Sequence, residues 1–438
     1  MLTKQDIGQY SQFTNLFLNK KQNGQVYDLR KNGKDTGIVG RWIDQKCTPD
    51  VFYIILDSIV NYIEDFSLKN NVSTTDVAID WKSLANHQYT VLNIHNLFSK
   101  PSTTTKAVKN EYNKFFGQQL ELLTYAGLLS KGKRGKGYKV NSINDWNLIE
   151  ELSQGKQRVV EIFLYSYVKY VLEESGLSPF FVKFLTTQNT TTFYELRNEY
   201  IYFYKKYTNS CTKSSSTDEI TRIFPKVLNL ICYIEDKRGT KGGHLSENMI
   251  LLTDINYNRE NFRDKNKNKP KGMSRQQHSL ANPNKFVVYY EAKAKKLVKN
   301  NNKKREEAIS LPKTQCPLGE AREDDLQYPF NAQEAHHMIA RHENMLYSDW
   351  TENLILLTPN QHTVKAHPQG NTQVVDKMYQ KYCFVSKYEI ILNNLNEPKS
   401  IYNLVDYFKM LNDYYNAPIL DETKLYSLED FKNIIETI

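Results

Sequence analysis

Cysteine is scarce in this chain, and what there is does not pair. Five occur in 438 residues (Cys47, Cys211, Cys232, Cys316 and Cys383), and no two stand as Cys-x-x-Cys. An odd, dispersed set argues against a disulfide framework and against a cysteine-based structural zinc site, and it fits a cytoplasmic setting. Long apolar runs are missing too. None reaches the ~18 residues needed to span a bilayer, so the reading is of no membrane segment. The first ten residues are polar and include Asp6, so they read neither as a secretory signal nor as an Arg-rich transit peptide. With 18 Gly and 13 Pro the chain is far from a collagenous composition.

Apolar residues make up 40% and aromatics 12%, including 30 Tyr, which is enough to build cores and excludes broad disorder. At roughly 100–200 residues per domain, the length implies two to four domains. The formal charge of +9 is a modest excess, from 58 Lys+Arg against 49 Asp+Glu. Its meaning depends on where the cations cluster.

The periodicity predicts helices first. Val51, Ile54, Ile55, Ile59, Tyr62 and Ile63 recur at three- and four-residue steps, with Thr48 as cap and Pro49 at the first helical position. A second helix is predicted from Ala107 to Gly127, followed by a strand at 128–130, a turn, and a strand at 138–140. The turn and its flanks hold Lys131, Lys133, Arg134, Lys136 and Lys139 with no acid among them. Helix, strand, basic turn and strand make a winged-helix-like unit, and the cations suit phosphate contacts. The order repeats further on. Ile223 to Ile234 is read as a helix with Pro225 in its first turn, then Lys237, Arg238 and Lys241 in a Gly-rich turn, then a strand at 249–252. Arg41, Arg134 and Arg238 are the candidate base readers. The basic stretch 291–309 reads as a connector, either a solvated charge run or a DNA contact.

The C-terminal third carries the chemistry. Five of the nine histidines fall between 336 and 367. Ala335-His336-His337-Met338-Ile339, preceded by Glu334, and Asn353-Leu354-Ile355-Leu356-Leu357 read as strands, and Pro359 as the start of a helix carrying His362. Adjacent residues at a strand end face opposite ways, so one histidine can hold a metal while its neighbour handles a proton. His367 lies five residues past His362, off the i, i+4 face, and suits a phosphate contact, a ligand or a structural role equally. His342 reads as a loop residue.

This order resembles the HNH, or ββα-metal, nuclease module. With Ala366-His367-Pro368-Gln369-Gly370-Asn371-Thr372-Gln373 it resembles the C-terminal nuclease domain of HNH-family type II restriction endonucleases, including type IIS enzymes with variable N-terminal recognition domains. The resemblance implies His337 as general base, Asn353 as the residue orienting it, and His336 and His362 as metal ligands. It implies Mg²⁺, Mn²⁺ or another divalent ion, cleavage of double-stranded DNA to 5′-phosphate and 3′-hydroxyl ends, a prokaryotic host with a companion methyltransferase, and a possible dimer on DNA. The predicted fold class is therefore α+β and multidomain. Recognition regions would cover 1–150 and 151–290, the connector 291–309, and the nuclease domain with a helical tail 310–438. A modification-dependent or stand-alone phage-defence nuclease on the same scaffold is the first alternative. A DNA-binding regulator with an inactive nuclease domain is the second. A rival acidic motif, Pro49-Asp50 with Asp80-Trp81-Lys82, reads as a helix start and a surface strand.

Overall fold

The computed structural model describes residues 4–24, 42–98, 106–132, 137–207, 216–257, 284–304, 334–357, 361–368, 371, 374–397 and 400–438. These are mostly helical, with three two-stranded antiparallel sheets, an α+β arrangement. The chain divides into two units, residues 1–283 and 284–438. Among the described residues, no helix is long and apolar enough to cross a membrane.

The first unit is organised around the helix Pro49–Asn70, which Thr48 precedes in extended conformation. The Thr48 hydroxyl donates to Asp50 Oδ1 at 2.7 Å rather than serving the backbone. Val51, Phe52, Ile54, Ile55, Leu56 and Ile59 are all buried, so the helix is apolar on every side. Such a helix must be wrapped, and it is, by Lys106–Tyr125, Ile143–Gln154 and Gln157–Ser175. Asn71, left-handed at φ 50°, ends it. Asp80 heads a short helix, Trp81–Asn86, and accepts from the Lys82 and Ser83 amides. The expected surface strand at 80–82 is therefore a capped helix start, because the carboxylate satisfies amides that a helix leaves open.

Two hairpins belong to this unit. Strand β1 (Leu129–Lys131) pairs with β2 (Tyr138–Val140), as the sequence predicts. Strand β3 (Arg238–Lys241) pairs with β4 (His244–Met249). The second hairpin lies earlier than the predicted strand at 249–252, since Gly242 and Gly243, at φ 63° and 89°, form a two-residue turn inside the basic segment. Leu252 instead opens a short helix, Leu252–Ile255. The preceding helix runs Ser216–Ile234, so Pro225 sits in its interior and not in its first turn. Ile220, Ile223, Phe224, Val227, Leu228 and Ile231 are buried along one stripe. Burying that stripe outweighs the ~3 kcal/mol that an interior proline costs.

The second unit begins with the helix Asn284–Lys304. Tyr290, Ala294 and Val298, one turn apart, are buried on it. Ala294 and Val298 join a core containing Met338, Ile339, Leu354, Phe384, Tyr388, Phe408 and Phe431. The expected basic connector is thus a packed helix as far as Lys304. Its lysines occupy the remaining faces, which conceals the stripe in a simple charge count. Strand β5 (Glu334–His337) pairs with β6 (Leu354–Leu357), His336 opposite Ile355 and His337 opposite Leu354. The tail is helical, as expected, at Leu404–Tyr415 and Leu428–Thr437, and Tyr388 and Phe431 stack at 4.0 Å between ring centroids. Residues 305–333, including the start of the expected nuclease domain, lie outside the described residues.

Candidate metal centre and flanking base

Strand geometry sends His336 and His337 to opposite sides of the β5–β6 hairpin. His336 turns inward and is buried. After β6 the chain forms a π-helical turn, Gln361–Ala366. A π turn closes i to i+5, so residues five apart stack on one face. This is what brings His362 and His367 together. The five-residue spacing that an α-helix would splay apart is accommodated here, and His367, directly after the turn, stands with His336 and His362 as a group that could hold a metal ion.

The ligand atoms of His336, His362 and His367 all lie within 4.8 Å of one another. Ring centroids are 5.0–5.2 Å apart in each pairing. Two of the rings are held from behind. His362 Nδ1 meets Glu334 Oε2 at 2.5 Å, and His367 Nδ1 donates to the Val374 carbonyl at 2.8 Å. Each bond leaves Nε2 free to face the cluster, the usual support for a metal-binding imidazole. His336 Nε2 is buried and has no hydrogen-bond partner. Burial, then the neighbouring His362 and His367, push its pKa down to about 2, so the ring stays neutral and keeps its lone pair. Burial also lowers the His362 pKa, against the opposing pull of Glu334. Three converging imidazoles, one with an orphaned buried nitrogen, fit a divalent metal ion.

His337 occupies a different environment. Its Nε2 lies 3.1 Å from the Ser348 carbonyl. A carbonyl only accepts, so Nε2 carries the proton and Nδ1 the lone pair. Burial, then Lys295, lower the His337 pKa, while the Ser348 carbonyl and Glu291 oppose them. The ring is therefore a neutral base with its acceptor nitrogen fixed. Glu291 Oε1 stands 3.9 Å from His337 Nε2.

Asn353 is fully buried. Its Oδ1 accepts from the Ile339 amide at 2.8 Å, and its Nδ2 donates to the Ile339 and Tyr347 carbonyls at 3.0 and 3.1 Å. With its capacity used, it holds the end of the hairpin and the following loop together. The buried Lys387 adds support by donating to the Leu354 carbonyl at 2.8 Å. His342 is exposed in the loop.

The predicted recognition residues are scattered over the first unit. Lys133, Arg134, Lys136 and Arg41 lie outside the described residues. Lys131 is paired with Glu121 and Lys139 with Asp76, the latter at 3.9 Å. Lys241 meets Asp254 at 3.1 Å. The absence of acids within these turns did not mean an absence of acids beside them. Arg238 departs furthest from expectation. Its guanidinium donates to the Gln188 carbonyl, its amide donates to Gln188 Oε1 at 3.1 Å, and Gln188 Nε2 returns a bond to its carbonyl at 2.7 Å. These bonds tie Arg238 to Gln188 within the first unit. Asp50, from the rival acidic motif, is buried and accepts from the Tyr257 amide at 2.8 Å.

Four groups around the histidines went unassigned in the sequence. Glu334 had a signal, because it shares the strand face of His336 two residues on. Arg341 follows the second strand-end histidine by four residues, with no periodic pattern to mark it. Glu291 and Lys295 form an ordinary i, i+4 helix pair, and nothing local connects them to His337. The sequence matches no family model, no curated protein and no solved structure.

Proposed function

We propose that this chain is a metal-dependent DNA endonuclease of the HNH type, with its phosphodiester-cleaving site in residues 284–438 and its DNA-recognition elements in residues 1–283. The observation that carries the reading is the split of one His-His dipeptide. His336 joins an imidazole triad with an unsatisfied nitrogen, while His337 faces away with its Nδ1 lone pair set by the Ser348 carbonyl. Hydrolysis of a phosphodiester needs those two functions side by side.

His336, His362 and His367 would hold the ion. Bound there, it would supply Lewis-acid stabilisation of charge on the phosphate and the leaving oxygen. Three imidazoles suit a borderline transition ion such as Zn²⁺, Ni²⁺, Co²⁺ or Mn²⁺ better than Mg²⁺, which prefers oxygen ligands. His337 accepts the proton of the attacking water at Nδ1. The Ser348 carbonyl holds its Nε2–H, and the imidazolium that forms is stabilised by Glu291. Asn353 keeps the hairpin in register so that the two histidines stay on opposite faces. The winged-helix-like units around β1–β2 and β3–β4, with the basic residues Lys131, Lys133, Arg134, Lys136, Lys237 and Lys241, supply phosphate contacts and site selection. The biological setting that fits best is type II restriction, with a companion methyltransferase.

The test is digestion of methylated and unmethylated plasmid libraries with Mg²⁺, Mn²⁺, Co²⁺, Ni²⁺ and Zn²⁺ in turn, followed by sequencing of the ends. The expected result is cleavage at one defined site, abolished by methylation and stronger with a transition ion than with Mg²⁺. No cleavage under any ion would remove the nuclease reading. Cleavage confined to methylated DNA would replace restriction with modification-dependent defence.

A further inference from the structure

Helix Asn284–Lys304 brings more than packing to His337. Its Glu291 carboxylate is the hub of a small charge network. Lys295, one turn along, meets it at 2.8 Å, and Arg341, from the turn after β5, at 3.4 Å. The three groups differ in exposure. The Glu291 side chain is 15% exposed, against 34% for Lys295 and 37% for Arg341. The carboxylate is therefore underneath, and the two cationic heads stand towards solvent beside the base. Burial pushes the Glu291 carboxyl up, but the bond from Lys295 and the charges of Lys295 and Arg341 hold it below the usual carboxylate range, so it stays charged. Glu291 Oε1 in turn lies 3.9 Å from His337 Nε2, which ties the network to that ring.

The network carries two positive charges and one negative, a local surplus. The unit around it has none, since residues 284–438 hold 19 Lys+Arg and 21 Asp+Glu, a formal −2. Two cations kept beside a neutral base, in a unit without excess positive charge, have the character of an anion site. On the proposed function, the anion taken beside His337 is the scissile phosphate.

We infer that Lys295 and Arg341 clamp the scissile phosphate, with Glu291 as the anchor that spaces them. This rests on the nuclease reading and adds two phosphate-contacting residues to it, one from a helix outside the β5–β6 hairpin. Fixed cations stabilise charge that develops on phosphoryl oxygens without moving at the moment of reaction.

The experiment compares the full-length parent with Lys295→Ala, Arg341→Ala and Lys295→Arg. It measures the single-turnover rate on the cleaved site at saturating DNA, DNA affinity without metal, Co²⁺ affinity and melting temperature. Each alanine variant is expected to lose roughly 10²-fold in rate, the usual cost of one fixed transition-state contact. DNA affinity, Co²⁺ affinity and melting temperature should stay at the parent's values, and Lys295→Arg should recover most of the rate. Parent-like rates in both alanine variants, with the parent active, overturn the clamp alone. A lost rate accompanied by lost Co²⁺ affinity or a lowered melting temperature also overturns it, since the pair would then be a structural pin. A parent that cleaves no DNA with any ion refutes the nuclease reading, and the clamp with it.

Discussion

The two units differ more in charge than in fold class. Residues 1–283 carry 39 Lys+Arg and 28 Asp+Glu, a formal +11, while residues 284–438 carry 19 and 21, a formal −2. Both are helical with small antiparallel hairpins. The contrast teaches that the modest +9 of the chain is the sum of a basic unit and a slightly acidic one. Counterion release scales with the cations placed against phosphates. On the proposed function, the first unit supplies the attraction to DNA, and the second uses a few placed charges for chemistry.

The most drastic way to break this comparison is to separate the units. Fragment 1–283 should keep the parent's salt dependence of DNA binding and show no cleavage. Fragment 284–438 should melt cooperatively and bind Co²⁺. A shorter fragment, 306–438, should do neither, because it lacks Ala294 and Val298, which belong to the core. Circular dichroism and Co²⁺ absorption would decide it, and a folded 306–438 would show that the helix is dispensable.

Within the second unit, His337→Ala should reduce cleavage by ~10²–10⁴-fold, the usual worth of a general base. DNA affinity should survive, since the phosphate contacts are made elsewhere. An active variant would move the base to another residue. Glu334→Gln should act more gently. Weakening the support behind His362 should cost ~10–100-fold in metal affinity, read by Co²⁺ titration, with partial rescue of activity at raised metal. Asn353→Ala should lower thermal stability, on the order of 1–3 kcal/mol for each buried backbone group left without its partner.

The smallest effect belongs to the first unit. Asp50 Oδ2 is buried without a partner, and burial raises the carboxyl above its ordinary 3.8. A group with a raised folded pKa favours the native state below its unfolded value and loses that contribution as pH rises through the folded one. Asp50→Asn should therefore be no less stable than the parent at pH 7, with any advantage shrinking towards pH 3.8. Because Asp50 is sealed in the core, the variant should also keep full cleavage. Loss of cleavage in a folded Asp50→Asn protein would revive the rival acidic site.

The helix at 49–70, the β1–β2 hairpin and the β5–β6 hairpin were legible because periodicity and turn chemistry act within a few residues. The segment 284–304 was misread for the complementary reason. Seven of its 21 residues are lysines, and a charge count hides three apolar residues spaced a turn apart. Likewise the Ser216–Ile234 helix runs on either side of Pro225 because its buried stripe starts at Ile220, before the proline.

Strand alternation alone sends His336 and His337 apart, whatever the rest of the chain does. Tertiary structure decided the rest. The π turn converted a five-residue spacing into a shared face and drew His367 to His336 and His362. Packing placed Glu291, 46 positions before His337, beside its ring. It also set carboxylates against Lys131, Lys139 and Lys241, although their own turns contain none. Local geometry follows from bonds and sterics along the chain. Which charges finally meet depends on how distant apolar stripes are buried together, and no local pattern encodes that.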